Sequence, residues 1–485
     1  MARKYFVSTI LALFVAELLS WLSYAYPVSR TGITIGVLVI IFALACYRLQ
    51  WGVAAILAEL VVSSQGYLLA ITQPVTISLR LGLFAVVLLA TGIWIIRERR
   101  IALLQSHYWK WYVAVISALG IALLTAIVYG NDYTTIFLDA NGYLFIAMVL
   151  PFTQALRTRA DLRNQLAVLM GGVVVLMLQT VVVLFAYSHV GAFGYYLPDL
   201  YRWLRDFRLA EISPQDNGFM RVFFQSHLYV VMTFILASVT YIKQQQRWWT
   251  LPLLSCSLTL IFISYSRSFW VATIVIIVLL AVFAQRRAGH YLVKVIGGAV
   301  VGFLLTLAII NVPLFSTGSG VDASALLTDR TSNLTDDVGG GSRLALFKPL
   351  ALAAVQHPFL GSGFGTTVTY ATKDLRALEG SDDGLYTTYA FEWGYLDLWL
   401  KLGIFGTMVY GLLVIGLLIR LWSLSRSVHE VNDQIILLTA AGGLIALMGI
   451  HALTPYLNHP LGLGWLVFAT AIAMVYDSYV RTVTR

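Results

Sequence analysis

Apolar runs of about twenty residues recur almost from end to end of this 485-residue chain, and that is the length a helix needs to cross the hydrocarbon layer of a bilayer. Lipid then dictates the secondary structure. A backbone amide or carbonyl in hydrocarbon must be bonded within its own segment, so an open chain crosses as helix. Hydrophobic residues make up 59% of the chain and charged residues 11%, with a mean hydropathy of +0.81, whereas soluble domains carry about 25% charged residues. A water-soluble fold is excluded. The expected fold is an all-α polytopic membrane protein of about fourteen transmembrane helices. The first seven are placed at 5–25, 32–47, 50–70, 78–96, 111–130, 134–156 and 166–189. The rest fall at 222–242, 248–265, 269–285, 291–312, 392–419, 433–452 and 460–479. The first run contains Glu17 and no small-residue cleavage site follows it, so it reads as a span rather than a signal peptide.

The formal charge of +9 does not point to nucleic acid, because the basic residues sit in short clusters between apolar runs instead of on one soluble face. With Arg3 and Lys4 held inside, the inner connections contain Arg48, the cluster from Arg97 to Arg100, Arg157, Arg159, Arg163, Lys243, Arg247, Arg286, Arg287, Arg420 and Arg426. The short connections on the other side carry almost none. That asymmetry satisfies the positive-inside rule and places both termini in the cytoplasm of a plasma membrane. Cys46 and Cys256 both fall inside apolar runs, which suggests neither a disulfide framework nor a cysteine metal site.

Two outer segments are too long to be turns. Residues 190–221 include YYLPDLYRWLRDFRLAEI, where Arg202, Arg205 and Arg208 form one helical stripe and Trp203, Leu204 and Phe207 another; the pattern predicts an amphipathic helix in the outer interface. Residues 313–391, between the eleventh and twelfth spans, are rich in Gly, Ser, Thr and Asp, and so long a connection in a tight bundle points to function. The chain thus divides into a bundle over 1–312, an extracytoplasmic loop over 313–391 and three final helices over 392–485.

Ionisable groups gather on that outer side. Arg221, Arg267, Arg343 and Glu392 stand at outer span ends or in the outer loop, as befits a cavity that binds an anion. Each has a plainer reading: Arg267 as a snorkelling boundary residue, Arg343 as a solvated loop arginine, Glu392 as a helix-start carboxylate favoured by the macrodipole. Ser342 is a plausible cap for the segment after it, which Pro349 would kink. His357 precedes Pro358, and Gly361, Gly363 and Gly365 follow, which predicts a structural turn, not a nucleotide loop. Asp397 and Lys401 are four apart in the favourable order and are expected to pair, leaving Glu392 without that partner. Asp336, Asp337, Asp382 and Asp383 suit a divalent cation or, more commonly, solvated turns. His451 and His459 are weak evidence for zinc. Glu17, Glu59 and Asp139 line a proton path or pair with Arg80.

These residues, taken in order, resemble the bacterial O-antigen ligase and O-antigen polymerase superfamily, membrane glycosyltransferases with a GT-C-like arrangement. MRVFFQSHLYVV, SYSRSFW, GSRLALFKPLALAAVQHPFLGSGFG and EWGYLDLWLKLGIFG carry the likeness over about 215–410, the last ending in the Gly-x-x-Gly of Gly403 and Gly406. The resemblance implies a glycan donor on undecaprenyl diphosphate, a glycan or lipid acceptor, and diphosphate binding by Arg267 and Arg343 with Arg221 as a third. Ligases of this family carry His-Asn where this chain has Glu392 and Trp393; by position Glu392 is the implied base. His357, Gly363, Tyr395 and His227 take supporting places. The implied chemistry is inverting transfer without a metal or cofactor at the outer face. The alternatives are a polymerase of the same superfamily and, in a different class, a lipid-linked oligosaccharide flippase, which would show internal repeats and charges through the depth of the membrane.

Overall fold

The computed structural model describes residues 2–72, 76–215, 218–244, 248–312, 338–372 and 384–483. The two Asp pairs of the long outer segment lie outside the described residues.

Each of the fourteen apolar runs coincides with helix. In chain order these are α1 (Ala2–Ala25), α2 (Ser29–Tyr47), α3 (Leu49–Val62), α4 (Leu79–Glu98), α5 (Tyr108–Val128), α6 (Tyr133–Ala140) continued through a 3-10 segment into α7 (Val149–Ala155), and α8 (Arg159–Ser188). After the short α9 (Val190–Phe193) and α10 (Leu197–Asp206) come α11 (Leu228–Gln244), α12 (Thr250–Ile263), α13 (Arg267–Ala284), α14 (Ala288–Asn311), α15 (Val338–Gln356), α16 (Gly394–Ser427), α17 (Val431–His451) and α18 (Pro460–Val483). Among the described residues, eleven helical stretches are long and apolar enough to cross a membrane, one of them the 45-residue pair of α13 and α14. The protein is therefore a polytopic helical membrane protein. The helices α3 and α12 have 14 residues each, about 21 Å at 1.5 Å per residue, shorter than a bilayer core. The run expected over 50–70 stops being helical at Val62, and the chain beyond it forms turns and the two-residue strands β1 (Ala70–Ile71) and β2 (Ile77–Ser78).

Burial sorts the helices into layers. The apolar stretches of α18 and α11 are 89% and 83% buried, whereas those of α1, α2 and α5 are only about a fifth buried. The exposed residues of the outer layer are apolar, among them Leu18, Val39, Leu124 and Val128, as expected of a surface solvated by lipid tails. Small residues let the central helices close up: a side chain on Gly464 would meet Leu60, and one on Gly443 would meet Trp465.

The two ends of the bundle differ in chemistry. At one end the basic residues are knit together: Arg159 and Arg163 contact Glu430 and the buried Asp433. Arg157 pairs with Glu98, Arg420 with Asp477, and Lys243 donates to Gln434. At the other end, besides the paired β1 and β2, lie two longer hairpins, β3 (Glu211–Pro214) with β4 (Met220–Phe223), and β5 (Val368–Ala371) with β6 (Leu385–Thr388). Here α10 turns its apolar stripe inward: Trp203, Leu204 and Phe207 are buried, and the Trp203 indole donates to Ser20 of α1 at 3.0 Å. Its arginine stripe stays exposed, with Arg202 beside Asp199 and Arg205 bonded to Asp206.

Much of the long outer segment that is described is ordered secondary structure. Leu346, Leu350 and Ala354 of α15, Val368 and Tyr370 of β5, and Phe391 and Leu400 around α16 form a small core separate from that of the bundle. Ser342 lies inside α15 rather than capping it, and its hydroxyl meets those of Tyr370 at 3.0 Å and Thr372 at 3.0 Å. Pro349 also lies within this helix.

Candidate functional site

The glycines after His357 shape this end of the molecule. Gly361, Gly363 and Gly365 have φ of 77°, 81° and 74°, the left-handed region that L side chains enter at a cost. Their backbones also lie against other backbones: a Cβ on Gly363 would come within 2.3 Å of the Ala126 nitrogen, and one on Gly361 within 2.5 Å of the Gly403 nitrogen. Gly403 has φ 66° and breaks α16. The loop supplies bonds at that break: Ile404 donates to the Pro358 carbonyl at 2.8 Å, and Ser362 to the Leu400 carbonyl at 2.7 Å. The turn is structural, as the sequence indicates, and Gly363 packs closely within it. His357 ends this helix-to-loop junction exposed, stacked on Tyr129 with ring centroids 4.5 Å apart. It is fourteen residues from Arg343 along α15, roughly 20 Å at the helical rise.

Arg343 and Glu392 are brought together as an ion pair, with side chains 34% and 50% exposed. Sequence reasoning left Glu392 unpartnered because the two residues are 49 apart; the small core that docks α15 on α16 supplies the contact. The Trp393 indole donates to the Arg343 carbonyl at 2.9 Å, which fixes the backbone of one partner to the neighbour of the other.

Arg221 and Arg267 both stand at a second place, the junction of α12 and α13. Arg221 on β4 donates through Nε to the Ser264 carbonyl at 3.1 Å, its Nη1 lies 3.7 Å from Glu211, and its guanidinium covers the Phe223 ring at 4.6 Å. Ser264 begins the elbow between α12 and α13. Tyr265, at φ 50°, is buried there between Phe219 and Trp270, and a bulky residue in the left-handed region is kept only where its surroundings hold it. The elbow presents Arg267 at the first position of α13. The hydroxyls of Ser266 and Ser268 are 3.1 Å apart, and that of Ser268 is 3.2 Å from Thr454.

The connection between α17 and α18 stands between the two arginine groups, and sequence reading undervalued it. Towards one group, Thr454 reaches Ser268, and the Tyr456 hydroxyl donates to the Gln225 carbonyl at 2.8 Å. Towards the other, Asn458 donates to Asp397 at 2.6 Å, and His451 packs against Gly394, where a Cβ would lie 2.6 Å from the imidazole. The buried His451 accepts the Leu457 amide through Nδ1 at 3.1 Å. The signal available in the sequence was HALTPYLNHPLG, whose polar residues are structural rather than zinc-like in their contacts.

The remaining expectations resolve individually. The Tyr395 hydroxyl donates to the Met448 carbonyl at 2.9 Å, tying α16 to α17. His227 is buried; its Nδ1 accepts the Phe224 amide at 3.4 Å, so Nε2 carries the proton towards Thr180 at 2.9 Å. Of the three span carboxylates, Glu59 pairs with Arg80 at 3.0 Å, Glu17 accepts from Gln179 at 2.5 Å, and Asp139 meets Lys401. An apolar groove of about 270 Å³ lined by His107, Trp111, Gly416 and Arg420 belongs to the opposite end and contains none of these residues.

Residues 252–411, about a third of the chain, match a family described as O-antigen ligase. In this region the chain is similar to O-antigen ligases. The match contains the elbow with Arg267, α15 with Arg343, the glycine loop, Glu392 and the break at Gly403. The hairpin that bears Arg221 falls outside it. The likeness over these residues supports an O-antigen ligase-like reading of the protein. No curated protein matches the chain.

Proposed function

We propose that the protein transfers a glycan from a polyprenyl diphosphate to an acceptor hydroxyl at the hairpin-bearing end of the bundle, which the distribution of basic residues turns away from the cytoplasm. The observation that carries this reading is the placement, within the matched region, of a carboxylate beside Arg343 and of Arg267 at the α12–α13 elbow, where Arg221 joins it from the neighbouring hairpin. A lipid-borne diphosphate offers the charge that such arginines take up.

The chemistry follows from the groups present. Glu392 accepts the proton of the acceptor hydroxyl as its oxygen attacks the anomeric carbon; the bond from that carbon to the diphosphate oxygen breaks, and the electron pair leaves on the diphosphate. Arg267 and Arg343, assisted by Arg221, stabilise the charge that develops there. A single displacement inverts the anomeric configuration. The ion pair links the two substrates: donor diphosphate competes with Glu392 for Arg343, and its binding loosens the hold on the carboxylate that receives the acceptor proton.

The test is the purified protein in nanodiscs with a defined undecaprenyl diphosphate oligosaccharide and a panel of glycan and lipid acceptors. A product of inverted anomeric configuration, formed equally with and without chelator, supports the reading. Donor binding with no transfer to any acceptor, combined with donor movement between leaflets, would instead make the protein a flippase.

A further inference from the structure

The start of α16 is braced by a buried ionic cluster. Lys401 Nζ lies 2.6 Å from Asp139 Oδ1 and 2.5 Å from Asp397 Oδ1, and none of the three side chains is more than 7% exposed. Asp397 also accepts from Asn458 at 2.6 Å, and Asp139 accepts the Gly365 amide at 2.8 Å. One ammonium group thus joins α6, α16, the glycine loop and the α17–α18 connection. The main chain of Lys401 belongs to the same junction, since its carbonyl accepts the Gly363 amide at 3.2 Å.

Burying three charges is costly, and apolar side chains of similar volume often serve stability as well or better. What a charged cluster adds is direction: each bond fixes a distance and an angle that an apolar contact leaves loose. The direction is passed on to Glu392. The Asp397 amide donates to the Trp393 carbonyl at 2.8 Å, and the Trp393 indole holds the Arg343 carbonyl. The first turn of α16 is therefore gripped by the cluster on one side and by α15 on the other, with Glu392 at its threshold.

We propose that Lys401, with Asp139 and Asp397, is a positioning residue that acts through Glu392, setting where that carboxylate stands when the acceptor hydroxyl arrives. The inference rests on the assignment of Glu392 as the base.

Transfer per folded molecule and donor affinity are to be measured separately for Lys401→Gln and Asp397→Asn, each alone and combined with Glu392→Gln. Asp397→Asn keeps the side-chain shape and leaves one ammonium facing one carboxylate, so it reports on positioning where Lys401→Gln fails to fold. Either substitution is expected to lower kcat about tenfold, the scale of a sub-ångström misplacement, with donor affinity unchanged. In the Glu392→Gln background neither should cause a further loss, because a residue acting through another has nothing left to position. A wild-type kcat per folded molecule with lowered thermal stability alone would show the cluster to be merely structural. Full additivity with an impaired Glu392→Gln enzyme would overturn this proposal by itself. Wild-type transfer by Glu392→Gln would overturn the base assignment and this proposal together.

Discussion

A guanidinium grips a phosphate through two parallel N–H donors, whereas an ammonium of the same charge offers a point. Arg267 and Arg343 are therefore expected to be intolerant of lysine. Either substitution should lower transfer roughly tenfold to a hundredfold, the loss of one charge-assisted contact of about 1.5 to 3 kcal/mol, while insertion and yield stay normal. For Arg343 the effect has a second source, because the same guanidinium holds Glu392 before donor binds. Glu392→Gln should retain donor binding and lose about 10² to 10⁴ in transfer. Glu392→His is the informative counterpart: it places the residue usual in this family at the same backbone position. Its transfer should return with a pH profile rising through the imidazole pKa of about 6.5; a profile identical to wild type would remove Glu392 from the proton transfer. These three residues and Arg221 were legible in the sequence as outer ionisable groups. Their pairing was not, since nothing in local spacing brings Arg343 to Glu392 or Arg221 to Ser264.

At the scale of the elements, the decisive features are breaks rather than helices. The interruption of α16 at Gly403 is filled by the chain from Pro358 to Gly363, so helix and loop are one unit. Alanine at Gly363 must adopt φ near 81° and find room where the Ala126 nitrogen would be 2.3 Å away. Such a position carries a strain of about 1 to 3 kcal/mol before any overlap, so Gly363→Ala and Gly403→Ala should markedly lower the midpoint of thermal unfolding in detergent. Gly416→Ala in the same helix, where a Cβ meets nothing within 4 Å, should leave the midpoint unchanged or raise it. Equal midpoints for all three would mean the loop does not dock as described. The glycine turn itself was readable from HPFLGSGFG. What it docks against was not, because the partner backbones come from α5, α6 and α16. The amphipathic reading of 190–221 foresaw the stripes of α10 but not that its aromatic face is covered by α1, a contact that requires the tertiary fold.

Across the whole molecule, the alternation of apolar runs and basic clusters announced both the helices and the two ends, because lipid leaves a chain so few options. The number of full crossings is less directly written: α3 and α12 are short, and composition alone gives them the same weight as their longer neighbours. Sidedness can be checked in a variant lacking Cys46 and Cys256 with single cysteines at the exposed positions Thr387 or Ser427. An impermeant thiol reagent applied to intact cells should modify the cysteine at 387 and spare that at 427; the reverse pattern would invert the topology. The protein can then be reconstituted in one orientation, with donor supplied in the bilayer and a membrane-impermeant glycan acceptor present on one side only. Product should form when the acceptor is on the side of Thr387, and none when it is confined to the side of Ser427. Glycan transfer to an acceptor restricted to the Ser427 side would contradict the account.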